Sequence, residues 1–79
     1  METQRVSETE EQAYAAARAA VARAVAHADA LARALGSERY GRMWHEDASG
    51  WLSDQEMSRP AHVFARELLQ ETARRRGGR

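Results

Sequence analysis

The chain has no cysteine and no lysine, a single proline and only five aromatic residues among its 79. Without cysteine, neither a disulfide framework nor a thiolate metal site is available. The twelve basic residues, all arginine, are balanced by twelve acidic ones. No net field therefore draws the chain toward nucleic acid or a membrane. No segment approaches the roughly 20 apolar residues that span a bilayer, and the opening METQRVSETEEQ has none of the apolar stretch of a secretory signal. These absences lead to the expectation of a soluble, cytoplasmic protein. Catalytic signatures are missing as well: there is no glycine-rich phosphate loop, no nucleophile motif and no recognisable pair of carboxylates. A non-enzyme without a cofactor is expected.

What is abundant is alanine. From Tyr14 to Ala34 the chain reads YAAARAAVARAVAHADALARA, the composition of a strong helix former. Arginine for every base and alanine in such number also fit GC-rich coding, as in a bacterium or its phages. Ser7 and Glu10 form a capping-box signal, Glu8, Glu10 and Glu11 suit the positive end of a helix dipole, and Gly36 supplies a stop. A helix over 8–35, after a flexible 1–7, would be roughly 42 Å long. Its larger residues follow a heptad-like stride: Tyr14, Val21, Ala28 and Leu35, with Ala17, Ala24, Val25 and Leu31 beside them. This predicts a thin seam that gains close approach of backbones rather than apolar area. On the opposite side Ala16, Ala19, Ala26, Ala30 and Ala34 admit two readings, solvent-tolerant helix formers or a second contact face.

Three of the five aromatics fall in the next segment, 37–52. Ser37 can cap a short helix from Glu38 to His45 with Tyr40, Met43 and Trp44 on one face, and Glu46 to Gly50 reads as a turn before Trp51. The cluster either plugs the end of a bundle or anchors a partner. The C-terminal helix, 53–76, has two start signals: Ser53 with Glu56, and Ser58 before Arg59 and Pro60, where proline costs no helical hydrogen bond. A helical turn from Asp54 is expected, then a main helix from Arg59 to Arg75. Met57, Ala61, Phe64 and Leu68 would line its inner face, with Ala65 and Thr72 alongside, while Arg59, His62, Arg66 and Gln70 would face away. Residues 77–79 are read as a flexible tail. Folding this helix back antiparallel would bring Arg74 to Arg76 beside the acidic start of the first helix, although exposed ion pairs are worth only about 0–1 kcal/mol each.

One local motif stands out. HEDASGWLSDQE, residues 45–56, resembles the calcium loop of EF-hand proteins: Asp47 and Ser49 fall at the third and fifth positions, Gly50 at the turn, Leu52 and Ser53 at the eighth and ninth, and Glu56 at the bidentate twelfth. His45 stands at the first position, where the family has Asp, and Pro60 interrupts the exiting helix. The resemblance implies a degenerate calcium site covering twelve residues. His27, His45 and His62 have no metal-motif spacing and are read as solvated or capping residues.

These readings together predict an all-α fold: a long alanine-rich helix, a short aromatic-bearing helix and turn, and an antiparallel third helix. The last helix is too short to cover the first, so the free seam would be wetted, self-associated in a four-helix arrangement, or bound. The leading expectation is a protein–protein interaction module, a small adaptor, regulator or phage-type inhibitor, with Tyr14, Val21, Leu31, Tyr40, Met43, Trp44 and Trp51 as contact candidates. The runner-up is a nucleic-acid-binding regulator using Arg74, Arg75, Arg76 and Arg79. The calcium site is third.

Overall fold

A computed structural model describes residues 8–36 and 43–77, which form three helices: α1 (Glu10–Leu35), α2 (Trp44–Ser53) and α3 (Arg59–Gly77). No strand is present among the described residues. The expected all-α class, with a long, a short and a final helix, is what the chain adopts. Ser7, the Ser37 cap, Tyr40, Arg79 and the flexible 1–7 segment lie outside the described residues.

Helix α1 starts two residues later than the Ser7 signal placed it. Thr9 Oγ1 accepts the Gln12 amide at 3.0 Å and Gln12 Oε1 accepts the Thr9 amide at 2.9 Å, a reciprocal capping box that satisfies two otherwise orphaned donors. At its far end Gly36 adopts φ 104°, a conformation that a side chain disfavours. At 26 residues α1 is about 39 Å long.

Residues 46–50, read as a turn, are helical. Trp44, Ala48, Trp51 and Leu52 recur at the spacing of one helix face, Ala48 and Leu52 are buried, and Glu46 and Asp47 occupy the first turn, where the dipole favours them. Gly50 therefore sits inside a helix. The Ser53–Glu56 capping box is not formed either. Ser53 ends α2, its hydroxyl donating to the Ser49 carbonyl at 3.1 Å. A five-residue linker, 54–58, follows. Gln55 closes α2, donating from its amide to Leu52 O at 3.1 Å and from its side chain to Trp51 O at 3.3 Å. Ser58 opens α3 by accepting the Ala61 amide at 3.2 Å. Helix α3 then runs through Gly77, two residues past the expected Arg75 and into the first residue of the segment read as a tail.

The antiparallel orientation expected of the last helix is overturned. Glu8, just before α1, accepts the Ser58 hydroxyl at the start of α3. Tyr14 meets Phe64 with ring centroids 5.6 Å apart, and Asp29, late in α1, binds Arg76, late in α3, at 2.9 Å. Partners advance together along both helices, so α1 and α3 are parallel and the chain runs up, down and up. The physical reason lies in the middle of the chain. Helix α2 and its linker together travel back along α1, which returns the chain to the N-terminal end before α3 begins. The acidic start of α1 is thus far from Arg74 to Arg76, and the pairing drawn from an antiparallel hairpin does not occur.

Helix α1 is the shared partner, touching α2 and α3 more extensively than those two touch each other. Its buried stripe is Ala13, Ala17, Ala20, Val21, Ala24, Ala28 and Ala32. The seam is therefore thinner than the heptad reading made it: Tyr14 and Leu35 are exposed, Val25 and Leu31 half-buried, and Ala13, Ala20 and Ala32 take the inner positions. Because that stripe is covered from Ala13 to Ala32, the expectation that the far part of α1 would lie bare does not hold. Ala16, Ala19, Ala26, Ala30 and Ala34 are all exposed. On α3 the buried residues are Ala61, Ala65 and Leu69, with Phe64 and Leu68 half-buried. Leu69, absent from the predicted face, is the largest fully buried side chain among the described residues.

Candidate interaction surface

The core is built almost wholly of methyl groups. Of the buried apolar side chains among the described residues, only Val21, Leu52 and Leu69 exceed alanine in size, while Val25, Trp44, Trp51, Met57, Phe64 and Leu68 pack against the cluster with part of their surface in water. Large side chains are thus at the rim and small ones at the centre.

On one side this rim forms a groove between α1 and α3. Arg18, Val21, Ala22 and Val25 supply one wall and Leu68 and Thr72 the other, around about 310 Å³. The Tyr14–Phe64 edge-to-face pair, at an interplanar angle of 81°, lies N-terminal to it along the same two helices. Val21, only 7% exposed, belongs to the core and contributes no more than the floor. Thr72 turns its hydroxyl away from any ligand, donating to Leu68 O at 2.9 Å, and leaves its methyl for the wall. Two ridges made this groove visible in principle, residues 14, 18, 21, 22 and 25 on α1 and 64, 68 and 72 on α3. Their juxtaposition requires the parallel arrangement.

The other contact candidates do not gather there. Trp44 is half-buried beneath the Arg76 guanidinium, 4.5 Å from its ring centroid, and meets His45 edge-on at 5.8 Å. Trp51 is half-buried against His27 at 6.3 Å. Leu31 is half-buried, and Met43, next to Trp44, is 41% exposed. These residues belong to the α1–α2 side of the molecule, whereas Tyr14 lies at the start of α1, so the candidates form no single patch. Asp47, between Trp44 and Trp51 on α2, has one carboxylate oxygen buried without a hydrogen-bond partner among the described residues. Its first-turn position gives that charge the support of the helix dipole.

The arginine cluster is largely engaged within the chain. Arg74 and Arg75 both approach Glu71, at 3.2 and 3.9 Å, and Arg76 joins all three helices through Asp29 on α1 and Trp44 on α2. Arg76 is held; Arg74 and Arg75 project into solvent.

The calcium-loop reading is overturned by the backbone. Residues 45–53 are helical, so Asp47 lies on the opposite side of the helix from His45 and Ser49, and the three cannot converge on an ion. No group of three or more metal-ligating side chains comes together among the described residues. The histidines have local structural partners: His27 and His45 against the tryptophans, His62 through Nε2 to the Gln55 carbonyl at 3.1 Å. A carbonyl can only accept, so His62 Nε2 carries the proton of that bond.

Compared with known proteins, the chain matches no family model, no curated protein and no solved structure. No helix among the described residues is long and apolar enough to cross a membrane.

Proposed function

We propose that this protein is a non-enzymatic protein–protein interaction module, a small cytoplasmic adaptor, regulator or phage-type inhibitor that acts by occupying a partner's surface. The observation that supports this reading is the inverted size distribution of the apolar residues. A chain that places alanine at its centre, with Val25 and Leu68 half-buried along an open groove and Tyr14 and Phe64 beside it, leaves part of its hydrophobic gain unrealised until something covers that groove. Aromatic and aliphatic anchors around a concavity are also what partner recognition uses. The occupant is a helix or loop of another protein or of a second copy of this chain.

The test compares the wild-type chain with Ala22→Glu. Ala22 is exposed and lines the groove, so the substitution fills the concavity without entering the core. Sedimentation measures self-association, and affinity capture from the native host measures a second protein. At least one specific complex should form and be lost in Ala22→Glu, with helicity and melting temperature retained. A monomer at all concentrations, together with no capture difference between the two chains, overturns the reading. Salt-dependent retention of nucleic acid that disappears on deleting residues 74–79 would favour the arginine-tail alternative instead.

A further inference from the structure

The side of α3 away from the groove was expected to be a solvated face, with Arg59, His62 and Arg66 pointing outward. In the structure Arg59, Arg66 and Gln70 are exposed, as expected, and His62 is half-buried, but the face is indented. Three adjoining depressions run along it; Arg66 lines all of them and His62 two. The one between α2 and α3 encloses about 420 Å³, within the roughly 300–1,000 Å³ of small-molecule sites. Leu52 and Ala65 are its apolar floor, Ser49 and Ser53 stand on the α2 wall, and His62 and Arg66 on the α3 wall. Among the described residues no carboxylate lines it, although Glu67 lines an adjoining depression with Arg66. Arg74, Arg75 and Arg76 each have an acidic partner within 4.0 Å, whereas Arg66 has none among the described residues.

The polar groups are not equally available. Ser53 spends its proton on the Ser49 carbonyl, and His62 spends its Nε2 proton on Gln55, which fixes the ring in the wall. The Ser49 hydroxyl makes no hydrogen bond to a described residue, and Ser49 lines the cleft on the wall facing Arg66.

We propose that this cleft binds an oxyanion, the phosphate or carboxylate group of a small ligand. Arg66 is its charge partner and Ser49 donates from the facing wall. A guanidinium presents paired donors that match either oxyanion, and because Arg66 is exposed the attraction is open to screening by salt. The site is independent of the α1–α3 groove: Arg66 and Leu68, two residues apart, lie about 200° apart around the helix.

The experiment titrates the full chain with inorganic phosphate and, separately, acetate at constant ionic strength, followed residue by residue by amide NMR. Saturable shifts are expected at Ser49, His62 and Arg66 and not at Arg74 or Arg75, and the tighter of the two anions identifies the ligand group. Arg66→Gln should weaken binding about tenfold or more, Ser49→Ala by a smaller factor, and Arg74→Gln not at all. Shifts that grow without saturating, shifts spread over every exposed arginine, or wild-type binding by both Arg66→Gln and Ser49→Ala would overturn the assignment. None of these outcomes bears on the groove, whose own test is separate.

Discussion

At the scale of single residues, the helical state of α2 turns one glycine into a defect. Gly50 suits a turn, and residues 46–50 read as a turn for that reason. Yet Gly50 lies in the interior of α2 at an ordinary φ, and a Cβ built there meets nothing within 4 Å. Nothing in the fold uses its conformational freedom, so Gly50→Ala should raise stability by about 0.5–1 kcal/mol. For a domain of this size that is a rise of a few degrees in thermal midpoint, to be read by circular dichroism. A fall in midpoint would mean that residue 50 is not helical. The opposite case is Ala24, with 0% exposure in the middle of the α1 stripe. Ala24→Leu leaves helix propensity nearly unchanged but inserts three carbons where there is no space, and should destabilise by about 1–3 kcal/mol in chemical denaturation. An unchanged midpoint would show that the other helices stand further from α1 than alanine packing implies.

At the scale of elements, the existence and extent of α1 and α3 were legible because each carries its own local signals. The acidic first turn and Gly36 bound α1, and Ser58 before Arg59 and Pro60 starts α3. Even so, Thr9 and Gln12 outcompeted Ser7 and Glu10, since either pair satisfies the box chemistry and nothing local ranks them. Helix α2 was misplaced because Gly50 and the acidic run outweighed the Trp44, Ala48, Trp51, Leu52 periodicity. The direction of α3 followed from that error. If 46–50 is a turn, the chain reverses once and α3 returns antiparallel; if it is helical, α2 and the linker consume that reversal and α3 ends parallel. The same fact hid the groove, whose two ridges were each readable but belong to helices that could be matched only once direction was known. Direction is testable by NMR: a nuclear Overhauser contact between the Tyr14 and Phe64 rings is expected from their 5.6 Å centroid separation. An antiparallel pair would carry Phe64 well away from Tyr14 and put the C-terminal turn of α3 there instead.

At the scale of the whole molecule, small size and an alanine core act in the same direction. A chain this short buries a modest fraction of its surface, and the alanine stripe along α1 takes up contact length while contributing little apolar area, because alanine offers one methyl where leucine offers four carbons. Compensation comes from caps at both ends of the linker and from Arg76, which ties Asp29, Trp44 and its own helix together at one end. That tie is partly solvent-exposed, with the two ion-pair side chains 38% and 35% accessible, so salt screens it and it orients more than it stabilises. On the groove side the half-buried Val25, Phe64 and Leu68, with the exposed Tyr14 beside Phe64, are apolar surface still available to add stability, as are the scattered Leu35, Met43 and Val63 elsewhere, and covering the groove requires a second surface. If that surface is another copy of the chain, folding is linked to concentration, and each tenfold increase should add about 1.4 kcal/mol per dimer, a shift of a few degrees in melting temperature. Scanning calorimetry across two decades of concentration should show that climb for the wild type and a flat response for Ala22→Glu. A midpoint independent of concentration in both would exclude the second copy and leave a different protein as the occupant, whose addition should then raise the midpoint of the wild type alone.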